Sequence, residues 1–183
     1  MTRCYLVHAV TDPQSHKALK ILKDGYLYSS MMTKEYGLYH DHPLEYVYFS
    51  LLCDEIASPT SLLTFFLDTQ VLYRRSFRYA LEWVGDEISR TKKVIYKYNN
   101  IDNVLRKINN HIINIDKTNP SKWTSHEILL KKKVNLKYLV AIYISETLQT
   151  PEILEYVKKY YPNVKVLKKF PKSAHELDVL LSQ

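Results

Sequence analysis

Apolar residues gather along this chain in short dense runs, separated by stretches whose apolar positions recur at helical spacing; the pattern predicts strands interleaved with helices. The first run, CYLVHAV at 4–10, has the character of a buried strand and is closed by the turn signal Thr11-Asp12-Pro13. A helix should follow, capped by Thr11 or Asp12 with Pro13 in its first turn. Ala18, Leu19, Ile21 and Leu22 form its apolar face, and Gly25 stops it. Tyr26-Leu27-Tyr28 then leaves as an extended piece. Residues 30–45 show no period and predict a long loop, a kind of segment that often carries function in compact domains. Strands are predicted at 46–52 (YVYFSLL) and 62–68 (LLTFFLD), parted by the turn-like EIASPTS.

The second half is less regular. TQVLYRRSFRYALEW at 69–83 reads as helical or irregular, TKKVIYKY at 91–98 alternates weakly, and 99–115 places Ile101, Val104, Leu105, Ile108 and Ile112 at helical spacing. Beyond the breaker run DKTNPSKWTS, strands are predicted at 126–130 and 138–145. A basic turn joins them, and they are expected to pair or to lie side by side. A helix starts at Pro151 with Ile153, Leu154 and Val157 facing inward and ends at Pro162, ahead of the strand VKVLKKF. Ser173 and Glu176 stand at capping-box spacing and open a short last helix. No repeat, low-complexity tract or linker interrupts the pattern, so the expectation is one α+β domain over 1–183.

Composition narrows the function classes. With 183 residues, 46% hydrophobic and 25% charged, the chain has the apolar surface to build one core. Only 3 glycines are present, which excludes a Gly-rich phosphate loop or dinucleotide fingerprint. Cys4 and Cys53 match no Cys-x-x-Cys spacing and read as reduced, buried, small hydrophobes. The opening residues lack the apolar run of a secretion signal, and no apolar stretch nears the ~20 residues of a membrane span, so no membrane partner is expected. The expected location is intracellular and cytoplasmic. Abundant Ile, Asn, Lys and the 16 tyrosines fit an AT-rich genome of viral type, which would make it the host cytoplasm. A net charge of +7 and a pI near 9.2 favour a polyanionic partner such as nucleic acid.

Several segments resemble one family. YLVHAV (a first strand holding a His), ILKDGYLYSS (a helix end and an extended L-x-S) and YVYFSLL occur in the order found in ADP-ribosyltransferase-like proteins. The pattern is closest to DarT-type DNA ADP-ribosyltransferases and RNA 2′-phosphotransferases. SHEILLKKKVNLKYLVAIYIS is similar to the late strands of the same fold, where a Glu opens a strand. The resemblance implies a split mixed β-sheet core with flanking helices, and NAD as the cofactor. After YVYFSLL the chain departs from the family's pattern, and no residue matches its central Tyr or Arg position clearly.

What the resemblance implies chemically can be stated by residue. Breaking the nicotinamide–ribose bond proceeds through an oxocarbenium-like transition state, which calls for a carboxylate beside the ribose and the acceptor. Glu127 would fill that role, holding a ribose hydroxyl and deprotonating the nucleophile. His8 would hold the adenine-side or nicotinamide-side ribose, and backbone groups at Ala9 would take the nicotinamide amide. Tyr28, Tyr36, Tyr39 and Tyr48 are available as a stacking face. Arg74, Arg75 and Arg78 are candidates for the pyrophosphate, with Arg75 first. The acceptor would be a nucleic acid or a host protein.

Set against the resemblance, each residue also has an ordinary reading. His8 suits a satisfied core histidine, and Glu127 an exposed carboxylate paired with Lys131 to Lys133. His40-Asp41-His42 suits a solvated loop, since adjacent loop residues need a distant third ligand to hold a metal. Trp83 and Trp123 suit the core. Lys131–Lys133, Lys158-Lys159 and Lys168-Lys169 suit solvated faces or, with tyrosines interleaved, phosphate contacts to nucleic acid. The rival functions are a non-catalytic basic module binding nucleic acid or protein, and an RNA 2′-phosphotransferase, which needs paired arginines and a histidine at one phosphate.

Overall fold

The computed structural model describes residues 3–10, 13–33, 45–54, 60–73, 75–80, 96–98, 102–103, 106 and 127–183. In chain order these form β1 (Cys4–Ala9), α1 (Ser15–Asp24), β2 (Tyr26–Tyr28), α2 (Ser30–Thr33), β3 (Tyr46–Cys53), β4 (Leu63–Asp68), α3 (Gln70–Tyr73), β5 (Phe77–Ala80) and β6 (Tyr96–Tyr98). There follow β7 (Glu127–Lys131), β8 (Lys133–Asn135), a 3-10 turn (Leu136–Tyr138), β9 (Leu139–Ile144), α4 (Pro151–Tyr160), β10 (Lys165–Leu167) and α5 (Ala174–Ser182). The large sheet runs β10-β9-β4-β1-β3-β7-β5-β6; β10 and β9 are parallel and the other pairs antiparallel, while β2 and β8 form a separate ribbon. This is the α+β, mixed-sheet architecture the sequence led one to expect.

The dense apolar runs are strands buried on both faces. From β1, Cys4 and Leu6 pack with Ala18 and Leu22 of α1 and Ile153 and Val157 of α4, whereas Tyr5 and Val7 pack with Ala174 and Leu177 of α5. Gly25 ends α1 in the left-handed region at φ 70°, where a glycine avoids the Cβ penalty, and its N–H donates to the Ile21 carbonyl. The Thr150 hydroxyl accepts from the Ile153 N–H to cap α4, with Pro151 at its first turn. The Ser173 hydroxyl accepts from the Glu176 N–H to cap α5 at 3.1 Å. α5 is tied to the sheet by the Tyr5 hydroxyl on Asp178, which Arg3 also meets at 3.2 Å.

Elsewhere the structure corrects the pattern reading. Gln14, whose side chain makes no cap bond, occupies the N-cap of α1; Thr11 and Asp12 lie outside the described residues. Four residues of the expected loop at 30–45 form α2, and 34–44 lie outside the description. Within 69–83, α3 gives way to the strand β5, and of the helix expected at 99–115 only 102, 103 and 106 are described, as helical. The strands expected to neighbour one another, β7 and β9, are separated by β4, β1 and β3. The chain leaves β7 through the β8 ribbon and the 3-10 turn and so crosses to the other flank of the sheet. Leu154 is 38% exposed on α4 and does not face the core.

The cysteines overturn the expectation of two free thiols. Cys4 and Cys53 are register partners in β1 and β3, their Cα atoms 4.4 Å apart, and they form a disulfide. That Cα separation marks a narrow, non-hydrogen-bonded pair, which brings the two side chains together on one face. Sequence distance hid the pairing because the register, not the spacing, brings them side by side. The bridge closes a loop of sequence separation 49, worth about 4 kcal/mol in the chain-entropy model. Urea unfolding with and without reductant should show a loss of this order on reduction, matched by the Cys4→Ala/Cys53→Ala variant; equal midpoints would mean the bridge does not form in solution.

Candidate functional site

The sheet splits between β1 and β3. Their ladder runs from Cys4↔Cys53 to Val7↔Ser50, while β1 continues against β4 to Ala9↔Thr64 and β3 continues against β7 to Tyr46↔Lys131. Past Val7 and Ser50, then, the two strands diverge, each held on its far side. The Val10 N–H donates to the Leu63 carbonyl at 3.0 Å, so the even residues of β1 turn their backbone groups to β4. By alternation, the N–H and C=O of Ala9 turn toward β3, where the ladder has ended.

A side chain takes the place of the missing ladder bond. His8 Nδ1–H donates to the Tyr48 carbonyl at 2.8 Å; the carbonyl can only accept, which fixes the proton on Nδ1 and leaves Nε2 as an acceptor in the neutral ring. Extending the register by two residues would have given that carbonyl to the Ala9 N–H. The imidazole thus accompanies the opening of the strands and leaves Ala9's backbone directed at the gap. Its ring lies 5.6 Å from that of Phe49.

On the face that carries Ala9, the pleat assembles a second set of groups. Ser50 is the register partner of Glu127, Tyr48 of Leu129, and Leu129 of Arg78, so Tyr48, Ser50, Glu127 and Arg78 share one face of β3, β7 and β5. Glu127 is only 6% exposed. Tyr46, Tyr48 and Leu129 form a small apolar cluster there, and the Arg78 guanidinium lies 5.0 Å from the Tyr46 ring centroid. Burial, together with the negative charge of Glu127, pushes the Tyr48 hydroxyl well above its usual range, so it remains a protonated donor beside the carboxylate.

The sequence-named residues therefore divide. Ala9, Tyr48, Glu127 and Arg78 come to one face, whereas His8 points from the other face of β1 and joins the site through the Tyr48 carbonyl. Arg75 goes elsewhere: its Nη1 and Nη2 donate to the Lys133 and Lys131 carbonyls at 2.6 and 2.7 Å, a fork spent on the β7–β8 turn. Tyr28 stands on the small ribbon, its ring 5.9 Å from Tyr26. Arg74, Tyr36, Tyr39, His40, Asp41, His42, Trp83 and Trp123 lie outside the described residues. Among the described residues no His, Cys, Asp or Glu group has the arrangement of a metal site. Ser50, inside β3 and opposite the buried Glu127, was not singled out from the sequence; its signal was a serine within the otherwise apolar YVYFSLL run.

Burial holds the His8 ring's affinity for a proton below its ordinary value of 6.5, and the bond to Tyr48 offsets this only in part. Above 6.5 the ring is neutral folded or unfolded; below it only the unfolded chain takes the proton, so stability falls as pH drops through that window. Urea midpoints measured from about pH 7 to about pH 5 should decline, and His8→Asn, which keeps a donor near the Nδ1 position, should flatten the decline. An identical pH profile in the variant would remove His8 as its source.

Comparison with known proteins places the fold. The fold matches Thermus sp. 2.9 DarT in complex with NAD+ at a TM-score of 0.59, over 90% of this chain and 95% of that one, at 14% identity. It also matches the same DarT in complex with ADP-ribosylated ssDNA, at 0.55 over 90% and 94%, with 13% identity. The fold is therefore that of the DarT-type ADP-ribosyltransferases. In sequence, the chain is 48% identical over 185 residues, the full length of both, to Uncharacterized protein L54 of Acanthamoeba polyphaga mimivirus. It is also 48% identical over 102 residues to Uncharacterized protein L28 of the same virus, covering 54% of this chain and 95% of L28. No described helix is long and apolar enough to cross a membrane. A family model described as "Family of unknown function (DUF5846)" matches residues 1–108, ending before Glu127, and with the full-length match to L54 it establishes that the chain belongs to the DUF5846 family.

Proposed function

We propose that this protein binds NAD at the split between β1 and β3 and transfers its ADP-ribosyl group to a nucleic-acid or protein acceptor. The observation that carries the reading is the shared face of Ala9's open backbone, the Tyr48 ring and the buried Glu127, in a fold whose solved neighbours include a DarT bound to NAD+. The donor set fits the molecule: an amide N–H and C=O pair for a carboxamide, a ring for stacking, a carboxylate for ribose, and a guanidinium for pyrophosphate. Bound NAD would supply the ADP-ribosyl group, with nicotinamide as the leaving group.

The chain's own groups then have distinct tasks. Ala9 orients the carboxamide through its backbone, and Tyr48 stacks and donates. Glu127 holds a ribose hydroxyl, faces the positive charge that develops at the sugar, and accepts the proton of the attacking oxygen or nitrogen. His8, from the opposite face, holds the Tyr48 carbonyl and so keeps the Ala9 backbone directed at the ligand. Arg78, on the Glu127 face, takes the pyrophosphate in place of Arg75, whose fork is already spent. An RNA 2′-phosphotransferase would need two arginines with a histidine at one phosphate; among the described residues, Arg3 is held by Asp178 and Tyr5 at the far end of β1 and Arg75 by the β7–β8 turn, which leaves Arg78 beside Tyr48 and Glu127.

Incubation with labelled NAD and mixed nucleic-acid and protein acceptors tests the proposal. Wild type should transfer label, and Glu127→Gln should keep NAD binding while losing transfer by about 10²- to 10⁴-fold. Label transfer surviving in that variant would remove Glu127 from the mechanism, and no binding at millimolar NAD would remove the whole reading. The arginines should separate: Arg78→Ala weakens NAD binding about tenfold without loss of stability, whereas Arg75→Ala lowers the unfolding midpoint and leaves NAD affinity unchanged.

A further inference from the structure

The strands that part to form the site are the strands the disulfide joins. Cys4 and Cys53 are the first register pair of the β1–β3 ladder and Val7 and Ser50 the last, so four residue pairs span the distance from the bridge to the opening. On the face toward α1 and α4 the side chains form one row: the bridge, then Leu6 opposite Leu51, then His8 with its ring 5.6 Å from that of Phe49. Leu6 and Leu51 are fully buried, and close-packed side chains pass a displacement on rather than absorb it. The end of the row, the His8 imidazole, makes the bond to the Tyr48 carbonyl that accompanies the split.

The two sulfurs differ in reach. Cys53 is 1% exposed, and the residue after it, Asp54, accepts from the His175 N–H at 2.8 Å and so ties the end of β3 to α5. Cys4 is 5% exposed and stands one residue before β1 gains its second neighbour, since the β1–β4 register begins at Tyr5↔Asp68. Ahead of it, the exposed Arg3 is held by an ion pair with Asp178, and surface pairs of this kind contribute little. Fraying of Arg3 and Cys4 is therefore the low-cost opening, and it presents the Cys4 sulfur first.

We infer that the Cys4–Cys53 bridge is a redox latch on the site, opened through Cys4 by a dithiol reductant. One thiolate of the reductant attacks the Cys4 sulfur, and Cys53 leaves as a thiolate and takes up a proton. The second thiolate then displaces Cys4, which is protonated in turn, and the reductant ends as a disulfide; two electrons and two protons have passed to the bridge. The freed sulfurs separate to van der Waals contact, the row spreads, the His8–Tyr48 bond weakens and ligand affinity falls. The sequence predicts an intracellular chain, and bridges formed there serve chiefly in redox sensing or catalysis. The effect on the ligand rests on the NAD reading above, whereas the loosening of His8 does not.

Reduction by dithiothreitol, followed at His8 and by NAD titration, tests the latch. In the oxidised chain, imidazole NMR should show one neutral tautomer with a slowly exchanging Nδ1 proton. Reduction should speed that exchange about tenfold or more while circular dichroism stays that of a folded chain, and should weaken NAD binding about tenfold. Cys4→Val/Cys53→Val, which keeps the core filled and cannot be bridged, should match the reduced chain and ignore dithiothreitol. Brief treatment with glutathione should leave its mixed disulfide on Cys4, as read by peptide mass mapping. A chain that binds NAD in neither state but loosens His8 on reduction would remove the NAD reading and keep the latch. An unchanged Nδ1 proton, equal and measurable NAD affinity in the two states, glutathione on Cys53, or global unfolding on reduction would each overturn the inference.

Discussion

The site depends on one substitution of partners in the sheet: the Tyr48 carbonyl, which a continued ladder would give to the backbone of Ala9, is taken instead by the imidazole of His8. A split sheet faces a general cost, because diverging strands strip each other of hydrogen bonds while still half buried. Here one carbonyl is satisfied by a side chain, and the opposing backbone groups of Ala9 are left directed at the gap. The disulfide anchors the same two strands at the other end of their shared ladder. One end is covalently closed and the other is open.

Around that opening the pleat sorts the chemistry. Because β3 and β7 pair without irregularity from Tyr46↔Lys131 to Ser50↔Glu127, the position of a residue along either strand decides its face. Glu127 stands near the Tyr48 hydroxyl, whose proton is held on by burial and by that carboxylate's charge. A single-residue slip of β7 would carry Ile128 and Leu130 to the site face and bury Glu127 beside Phe49 and Tyr79, so the apolar face and the buried carboxylate enforce one register together.

The large features were legible in the sequence for a physical reason. β1, β3 and β4 are buried on both faces and so read as unbroken apolar runs, and α4 and α5 carry side-chain caps that announce themselves. The misreadings trace to features with no local sign. β8 is too short for a period to be seen, so β7 and β9 looked like neighbours, and nothing in KKK signals that Lys132 turns in the left-handed region. The arginines were separable in principle: Phe77 and Tyr79 face the core, which directs Arg78 to the opposite face, but this follows only once 77–80 is known to be a strand. The resemblance to ADP-ribosyltransferases gave the fold; which side of the strand each residue occupies had to come from the register.

The order of strands in the sheet bears on how the molecule is made. β1 leaves first and comes to lie between β3 and β4, but the outer edges of that trio are covered only by β7 and β9, which lie far downstream in the chain. Until those segments arrive, β3 from Tyr46 to Ser50 and β4 from Leu63 to Leu67 present bare, apolar backbone edges of the kind that recruit foreign strands. A nascent or truncated chain ending before Glu127 would thus be a template for self-association, and the C-terminal third acts as an edge guard as much as a carrier of the carboxylate.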